Sequence, residues 1–158
     1  SCFQLLGPLD PANRTGVSRS ELEGWIAEGT VEYLGETDDV RRFIAGSHVV
    51  VLPSYREGLP RSLLEAAAMG RPLVATDVPG CRHVVEDGVN GVLCAVRDAA
   101  SLADAMRRME GMPAGQRTAM GDAARARVQA EFSETRVIQA YLDALAEVAP
   151  QPQAPPGS

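Results

Sequence analysis

The stretch that decides the fold is His48-Val49-Val50-Val51-Leu52-Pro53-Ser54-Tyr55-Arg56-Glu57-Gly58-Leu59-Pro60-Arg61-Ser62-Leu63-Leu64-Glu65-Ala66-Ala67-Ala68-Met69. Residues 48–52 are an unbroken apolar run that reads as a strand buried on both faces. Pro53-Ser54 ends it. Pro60 suits a first helical turn, and residues 62–69 continue as a helix until Gly70. Strand, Gly/Pro loop and helix thus follow one another within a short span.

Working outward, the same alternation recurs. Residues 3–6, 31–34, 73–75 and 92–94 read as further short strands. Ser18 and Glu21 have capping-box spacing ahead of Leu22, Trp25 and Ile26, which share a helical face. Thr37-Asp38-Asp39 can cap a helix through Val40, Phe43 and Ile44. Asp87-Gly88-Val89-Asn90-Gly91 signals a turn. Helices are expected after Ser101, then at about 115–130 and 134–148. The class this predicts is α/β, a Rossmann-like parallel sheet with helices on both faces. Residues 1–149 read as one such domain, and the Pro-rich residues 150–158 as a disordered tail.

Composition narrows the function classes. A chain of 158 residues can bury a sizeable core, and 45% hydrophobic with 23% charged residues excludes a wholly disordered or collagenous chain. No apolar run approaches the ~18 residues of a membrane span. A net charge of −6 argues against a nonspecific nucleic-acid binder. All 15 basic residues are Arg, so Schiff-base chemistry and a Walker lysine are excluded. Cys2, Cys81 and Cys94 are odd in number and lack C-x-x-C spacing, which fits a reducing cytoplasm better than a disulfide framework or zinc site. The chain opens on Ser1-Cys2-Phe3 with neither an initiator Met nor a signal-like segment, so an excised piece of a longer protein is expected.

Parallel α/β sheets bind ligands beyond the carboxyl ends of their strands. The richest loop there runs from Pro53 to Ser62. The helix that follows leaves backbone N–H groups unpaired at its positive end, an anion site that needs no lysine. Gly58 permits close approach of a ligand. Glu65 lies a turn into the helix, and helical side chains tilt toward the N-terminus, so its carboxylate can reach the same mouth. There it can accept two hydrogen bonds from a vicinal diol such as ribose. Glu57 can meet the hydroxyls of a second group. Diol, anion and polyol in series describe a nucleotide sugar. Taken singly, Glu65 also reads as a cap or an ion pair with an Arg, Glu57 as a solvated loop residue, and Gly58-Leu59-Pro60 as a turn.

These residues also carry a family resemblance. The span from Val31 to about Met109 resembles the C-terminal, donor-binding half of retaining GT-B glycosyltransferases of family 4. The motifs are Glu57 and Glu65 separated by seven residues, Pro53-Ser54, Glu57-Gly58-Leu59-Pro60, Glu65-Ala66, Gly70-Arg71-Pro72-Leu73-Val74-Ala75-Thr76, Pro79-Gly80 and Asp87-Gly88-Val89-Asn90-Gly91. The run from Ser54 to Glu65 further resembles bacterial enzymes that assemble O-antigen, capsule or other glycans on lipid carriers.

The resemblance implies roles. Glu57 contacts the donor sugar and is the catalytic candidate. Gly58, Leu59 and Pro60 present backbone to sugar hydroxyls. Arg61, Ser62 and Leu63 stand beside the diphosphate and ribose, and Glu65 holds the ribose hydroxyls. Tyr33, Leu34 and Gly35 lie where the base rests. It implies a nucleotide-sugar donor, a UDP-sugar for preference, no metal or other cofactor, and a saccharide or lipid-linked acceptor. The enzyme would be cytoplasmic or peripheral at the inner face of the membrane.

The chain also departs from the family. Family members place an Arg and a Lys on the diphosphate, and this chain has no Lys. The N-terminal acceptor domain is not represented. His48 reads as packing or surface, while the roles of His83, Arg56 and Arg82 stay open. The stripe Val137, Ile138, Tyr141, Leu142 and Leu145 either packs on its own domain or supports self-association. Two other readings are a non-catalytic Rossmann-like assembly or regulatory module and a fragment of a GT-B epimerase or phosphorylase.

Overall fold

The computed structural model describes residues 1–9 and 16–148, so the Pro-rich segment 150–158 lies outside the described residues. In chain order the elements are β1 (Gln4–Leu5), α1 (Arg19–Ala27), β2 (Glu32–Tyr33), α2 (Arg41–Gly46), β3 (Val50–Leu52), α3 (Arg61–Ala68), β4 (Leu73–Thr76), α4 (Pro79–Val84), β5 (Gly91–Cys94), α5 (Ala99–Gly111), α6 (Ala114–Glu131) and α7 (Glu134–Val148). Contacts divide them into two compact units, Ser1–Gly46 and Ser47–Ser158.

In the first unit β1 and β2 pair in parallel, Gln4 against Glu32 and Leu5 against Tyr33. The capping box at α1 forms: the Ser18 hydroxyl accepts from Glu21 N–H, and the Glu21 carboxylate accepts from Ser18 N–H. Of the face expected from Leu22, Trp25 and Ile26, only Leu22 is buried, while Trp25 and Ile26 stay exposed. Ahead of α2, Asp39 accepts from Arg41 N–H and grips the Arg41 guanidinium with both oxygens.

The second unit holds the parallel sheet β3-β4-β5. Val50 pairs with Leu73, and Leu73 with Gly91. All four residues of β4 are buried, as a central strand covered on both faces requires. Successive strand residues face opposite sides. Val74 joins Val92, Cys94, Ala105, Met109 and Met120 in one cluster, covered by α5 and by Met120 from α6. Leu73 and Ala75 therefore face the other side, where α3 packs on β3 and β4 and is backed by α6. Where α6 meets the turn just past α3, the approach is close enough to require glycine. A Cβ on Gly121 would strike the Gly70 carbonyl. Asn90 is buried in the turn before β5, where its amide donates to the Val84 carbonyl at 2.9 Å and its oxygen accepts from Glu86 N–H at 2.8 Å.

Along α7, Ile138, Tyr141 and Leu142 are exposed at i, i+3, i+4 spacing. Among the described residues no helix is long and apolar enough to cross a membrane.

Candidate functional site

An open groove of about 630 Å³ lies beyond the carboxyl ends of β3 and β4. Its lining comes from two loops: Tyr55, Arg56, Glu57 and Gly58 after β3, and Val78 and Pro79 after β4. This is where parallel α/β topology puts ligand sites, because both strand-to-helix connections emerge on one edge.

Two contacts hold the loops together. The Thr76 hydroxyl at the end of β4 donates to the Ser54 carbonyl just past β3. Thr76 is only 3% exposed, so this bond also satisfies an otherwise buried hydroxyl. Gly80, in the first turn of α4, packs directly on the backbone of Glu57 and Gly58. A Cβ there would overlap both carbonyl oxygens. Burial, and then the nearby Glu57 carboxylate, push the Cys81 thiol up from its usual range. Glu57 thus stands at the junction of the two loops.

At the start of α3, the first helical hydrogen bond runs from Leu64 N–H to the Pro60 carbonyl at 3.2 Å. Pro60 supplies no side-chain cap. The N–H groups of Arg61, Ser62 and Leu63 therefore have no partner within the helix, and they share the positive end of its dipole.

The expected residues fall into distinct settings. Glu57 and Gly58 line the groove. Leu59 is 47% exposed and Pro60 is buried. Arg61 and Ser62 are exposed on the first turn of α3. The Leu63 side chain is fully buried in the core, which leaves only its backbone to face a ligand. Glu65 does not line the groove; its carboxylate lies 3.4 Å from Arg61 Nη2, one turn back. That contact is the ion-pair alternative read from the sequence. The Glu65 side chain nevertheless keeps 40% of its surface exposed.

Tyr33, Leu34 and Gly35 belong to the first unit. Tyr33 donates to the Gly7 carbonyl at 2.8 Å and lines a recess of about 220 Å³ there with Leu5, Leu6 and Leu22. Leu34 N–H donates to the Leu5 carbonyl, and the Gly35 carbonyl accepts from Gly7 N–H.

Sequence reasoning gave no role to Tyr55, Thr76, Val78 or Pro79, nor to Gly80. The available signals were a Gly directly after Pro at a helix start and a Thr closing a buried strand. Of the residues left open, Arg82 is bound to Asp77, with Nε 2.5 Å from Oδ1, and this holds the Asp77 carboxyl below its usual range. Arg56 is exposed, as are His48 and His83. Among the described residues, no three His, Cys, Asp or Glu side chains gather in metal-binding geometry.

Comparisons with known proteins bear on the family and the fold. An N,N'-diacetylbacillosaminyl-diphospho-undecaprenol α-1,3-N-acetylgalactosaminyltransferase of Campylobacter jejuni is 34% identical over 80 residues, which cover 51% of this chain and 21% of the relative. A lipopolysaccharide core biosynthesis glycosyltransferase of Rhizobium meliloti is 32% identical over 118 residues, 75% of this chain and 34% of the relative. The chain thus spans about a fifth to a third of these curated relatives. Among solved structures, Anabaena HepE in complex with UDP superposes with a TM-score of 0.74 at 25% identity, covering 82% of this chain and 36% of HepE. The fold is accordingly the α/β fold of GT-B glycosyltransferases. The model of the glycosyl transferases group 1 family matches residues 5–110, about two thirds of the sequence, and the chain belongs to that family.

Proposed function

We propose that this chain is the donor-binding half of a retaining glycosyltransferase that moves a sugar from a nucleotide diphosphate to a saccharide or lipid-linked saccharide acceptor in bacterial surface glycan synthesis. The observation that carries the reading is the groove beside Glu57 followed by the uncapped N-terminus of α3. A leaving diphosphate develops negative charge, and three free N–H groups at a helix start are fixed donors for it. Glu57 meets the donor sugar through its hydroxyls. Glu65 accepts from the ribose diol, with Gly58, Leu59 and Pro60 presenting backbone between them. Tyr33, Leu34 and Gly35 are proposed as base contacts on the resemblance alone. Protein groups take the place of a metal.

Two names support the reading. HepE was solved with UDP, which favours a uridine donor. The Campylobacter relative is named for a diphospho-undecaprenol substrate, which favours a lipid-linked acceptor. In this reading the chain works with an N-terminal acceptor domain of the same enzyme, and the 158 residues alone are expected to bind nucleotide weakly and to turn over essentially nothing. The setting proposed is cytoplasmic, peripheral to the membrane.

Calorimetric titration of this 158-residue chain with UDP and GDP, repeated on Glu65→Ala, tests the reading. A uridine-selective signal lost in the variant is expected. A folded chain that binds neither nucleotide would favour a non-catalytic module, and transferase turnover by this chain alone would overturn the predicted inactivity.

A further inference from the structure

Arg97 is the one non-glycine residue with positive φ among the described residues, at φ 59°. That region is costly for an L-residue and natural for glycine. Residues held in such conformations cluster at ligand sites, where the surrounding structure fixes them. The position follows β5, on the same strand-end edge that carries the groove. Its guanidinium lies over the Tyr55 ring, 5.3 Å from the centroid, and Tyr55 lines the groove. The ring is itself 54% exposed, so burial of Tyr55 does not explain the pairing.

The charge pattern gives the contact a direction. In the second unit Arg61, Arg82, Arg107 and Arg127 are each within ion-pair distance of a carboxylate. Arg56 and Arg97 have no carboxylate partner among the described residues, and both stand at this groove, Arg56 in its lining and Arg97 over Tyr55. Asp98, next to Arg97, is engaged as the cap of α5, accepting from Ser101 N–H at 2.9 Å. Glu57 is the one carboxylate in the groove lining, which also holds Arg56 and the Tyr55 ring under Arg97. In a chain without lysine, these two arginines join Arg61, whose exposed pair with Glu65 is weak, as the side-chain cations at this edge for an anionic ligand group.

We propose that Arg97, propped on Tyr55 and acting with Arg56, is a specificity-determining residue that grips an anionic group of the bound donor. This rests on the donor-site reading above. Two sources share that chemistry: the diphosphate, and a carboxylate on the transferred sugar. The Tyr55 ring lies 5.3 Å from the guanidinium carbon at the groove, and Arg97 stands in the left-handed region just past the end of β5.

The test is calorimetric titration of the chain with UDP, UDP-glucose and UDP-glucuronate, at low and high salt. It compares the unaltered sequence with Arg97→Asn, Arg97→Gly and Glu65→Ala. Asn and Gly both tolerate the left-handed backbone, so folding is retained and Arg97→Gly melts at the same or a higher temperature. Affinity is expected to fall about tenfold in both Arg97 variants, the scale of one charge-assisted hydrogen bond, together with a weaker salt dependence. Equal losses for all three ligands identify the diphosphate. A loss confined to UDP-glucuronate identifies a sugar carboxylate. Unchanged affinity and salt dependence in both Arg97 variants, with Glu65→Ala still defective, overturns the assignment of Arg97 alone. Absence of UDP binding by the unaltered, folded chain overturns the donor reading and this inference with it.

Discussion

Replacing Gly80 by Ala tests whether the groove depends on backbone-to-backbone packing between α4 and the loop carrying Glu57. A Cβ on Gly80 would lie 2.6 Å from the Glu57 carbonyl carbon and closer still to the Glu57 and Gly58 oxygens. Ordinary contact begins near 3.4 Å, so the loop and α4 must separate by about 0.8 Å or more. No rotamer change relieves this, because every atom struck is main chain. Overpacking a tight interior costs about 1–3 kcal/mol, and backbone obstruction belongs at the upper end. For a chain of this size that lowers the melting temperature by about 5–10 °C. The same shift carries Glu57 away from its place in the groove, and a displacement near 1 Å is enough to cost about a hundredfold in a positioned reaction. The control for stability is Gly58→Ala. Nothing lies within 4 Å of a Cβ at Gly58, and its φ is not in the glycine region. Differential scanning fluorimetry should show Gly80→Ala melting several degrees lower and Gly58→Ala close to the unaltered chain. Titration with UDP-glucose should show the Gly80 variant binding more weakly. If Gly80→Ala melts within a degree or two of the unaltered chain and keeps its affinity, the loop does not rest on α4 as described, and the reasoning fails.

Asn90→Ala leaves the Val84 carbonyl and Glu86 N–H without partners at a site only 1% exposed; urea unfolding should record a loss of about 2–4 kcal/mol. Cys81 and Cys94 are buried with their thiols pushed up, Cys81 by burial and the Glu57 charge and Cys94 by burial first, so a thiol reagent should modify only Cys2 in the folded chain and all three once denatured. The hydrogen bond from the Arg41 guanidinium lowers the Asp39 carboxyl from 3.8 to about 2. Because the folded value lies below the unfolded one, its contribution to stability is present above pH 3.8 and lost as pH falls toward 2; an NMR titration of Asp39 should show that midpoint, and Arg41→Ala should raise it.

What the sequence made legible was local or periodic. Ser18 and Glu21 named their own cap, since both partners lie within one turn. The strand before Pro53 and the helix after Pro60 were marked by an apolar run and by two prolines. Glu57 was placed at a strand-end loop by the same punctuation. What escaped was contact between segments far apart in the chain. Thr76 bonds to Ser54 across 22 residues, and nothing near Thr76 announces a partner. The need for glycine at position 80 comes from the Glu57–Gly58 backbone, so neither segment alone shows it. Arg97 in the left-handed region goes against residue preference, and a reading by preference passes over it. Periodicity also overstated burial: Trp25 and Ile26 share a helical face with Leu22, but the first unit covers only Leu22.

Glu65 illustrates how two readings of one residue combine. Its carboxylate meets Arg61 at 3.4 Å, yet the Arg61 side chain is 89% exposed. An exposed i, i+4 pair of this kind contributes about 0–0.5 kcal/mol, within reach of any ligand that offers better hydrogen bonds. A ribose diol offers two donors to an acceptor that already stands one turn behind the free N–H groups of α3. Arg61, once released, remains at that helix start, where its charge adds to the dipole facing a diphosphate. The ion pair therefore keeps both groups near the helix mouth at little energetic cost. The pair is thus compatible with the proposed role of Glu65 toward a ribose diol, although Glu65 lies outside the groove lining.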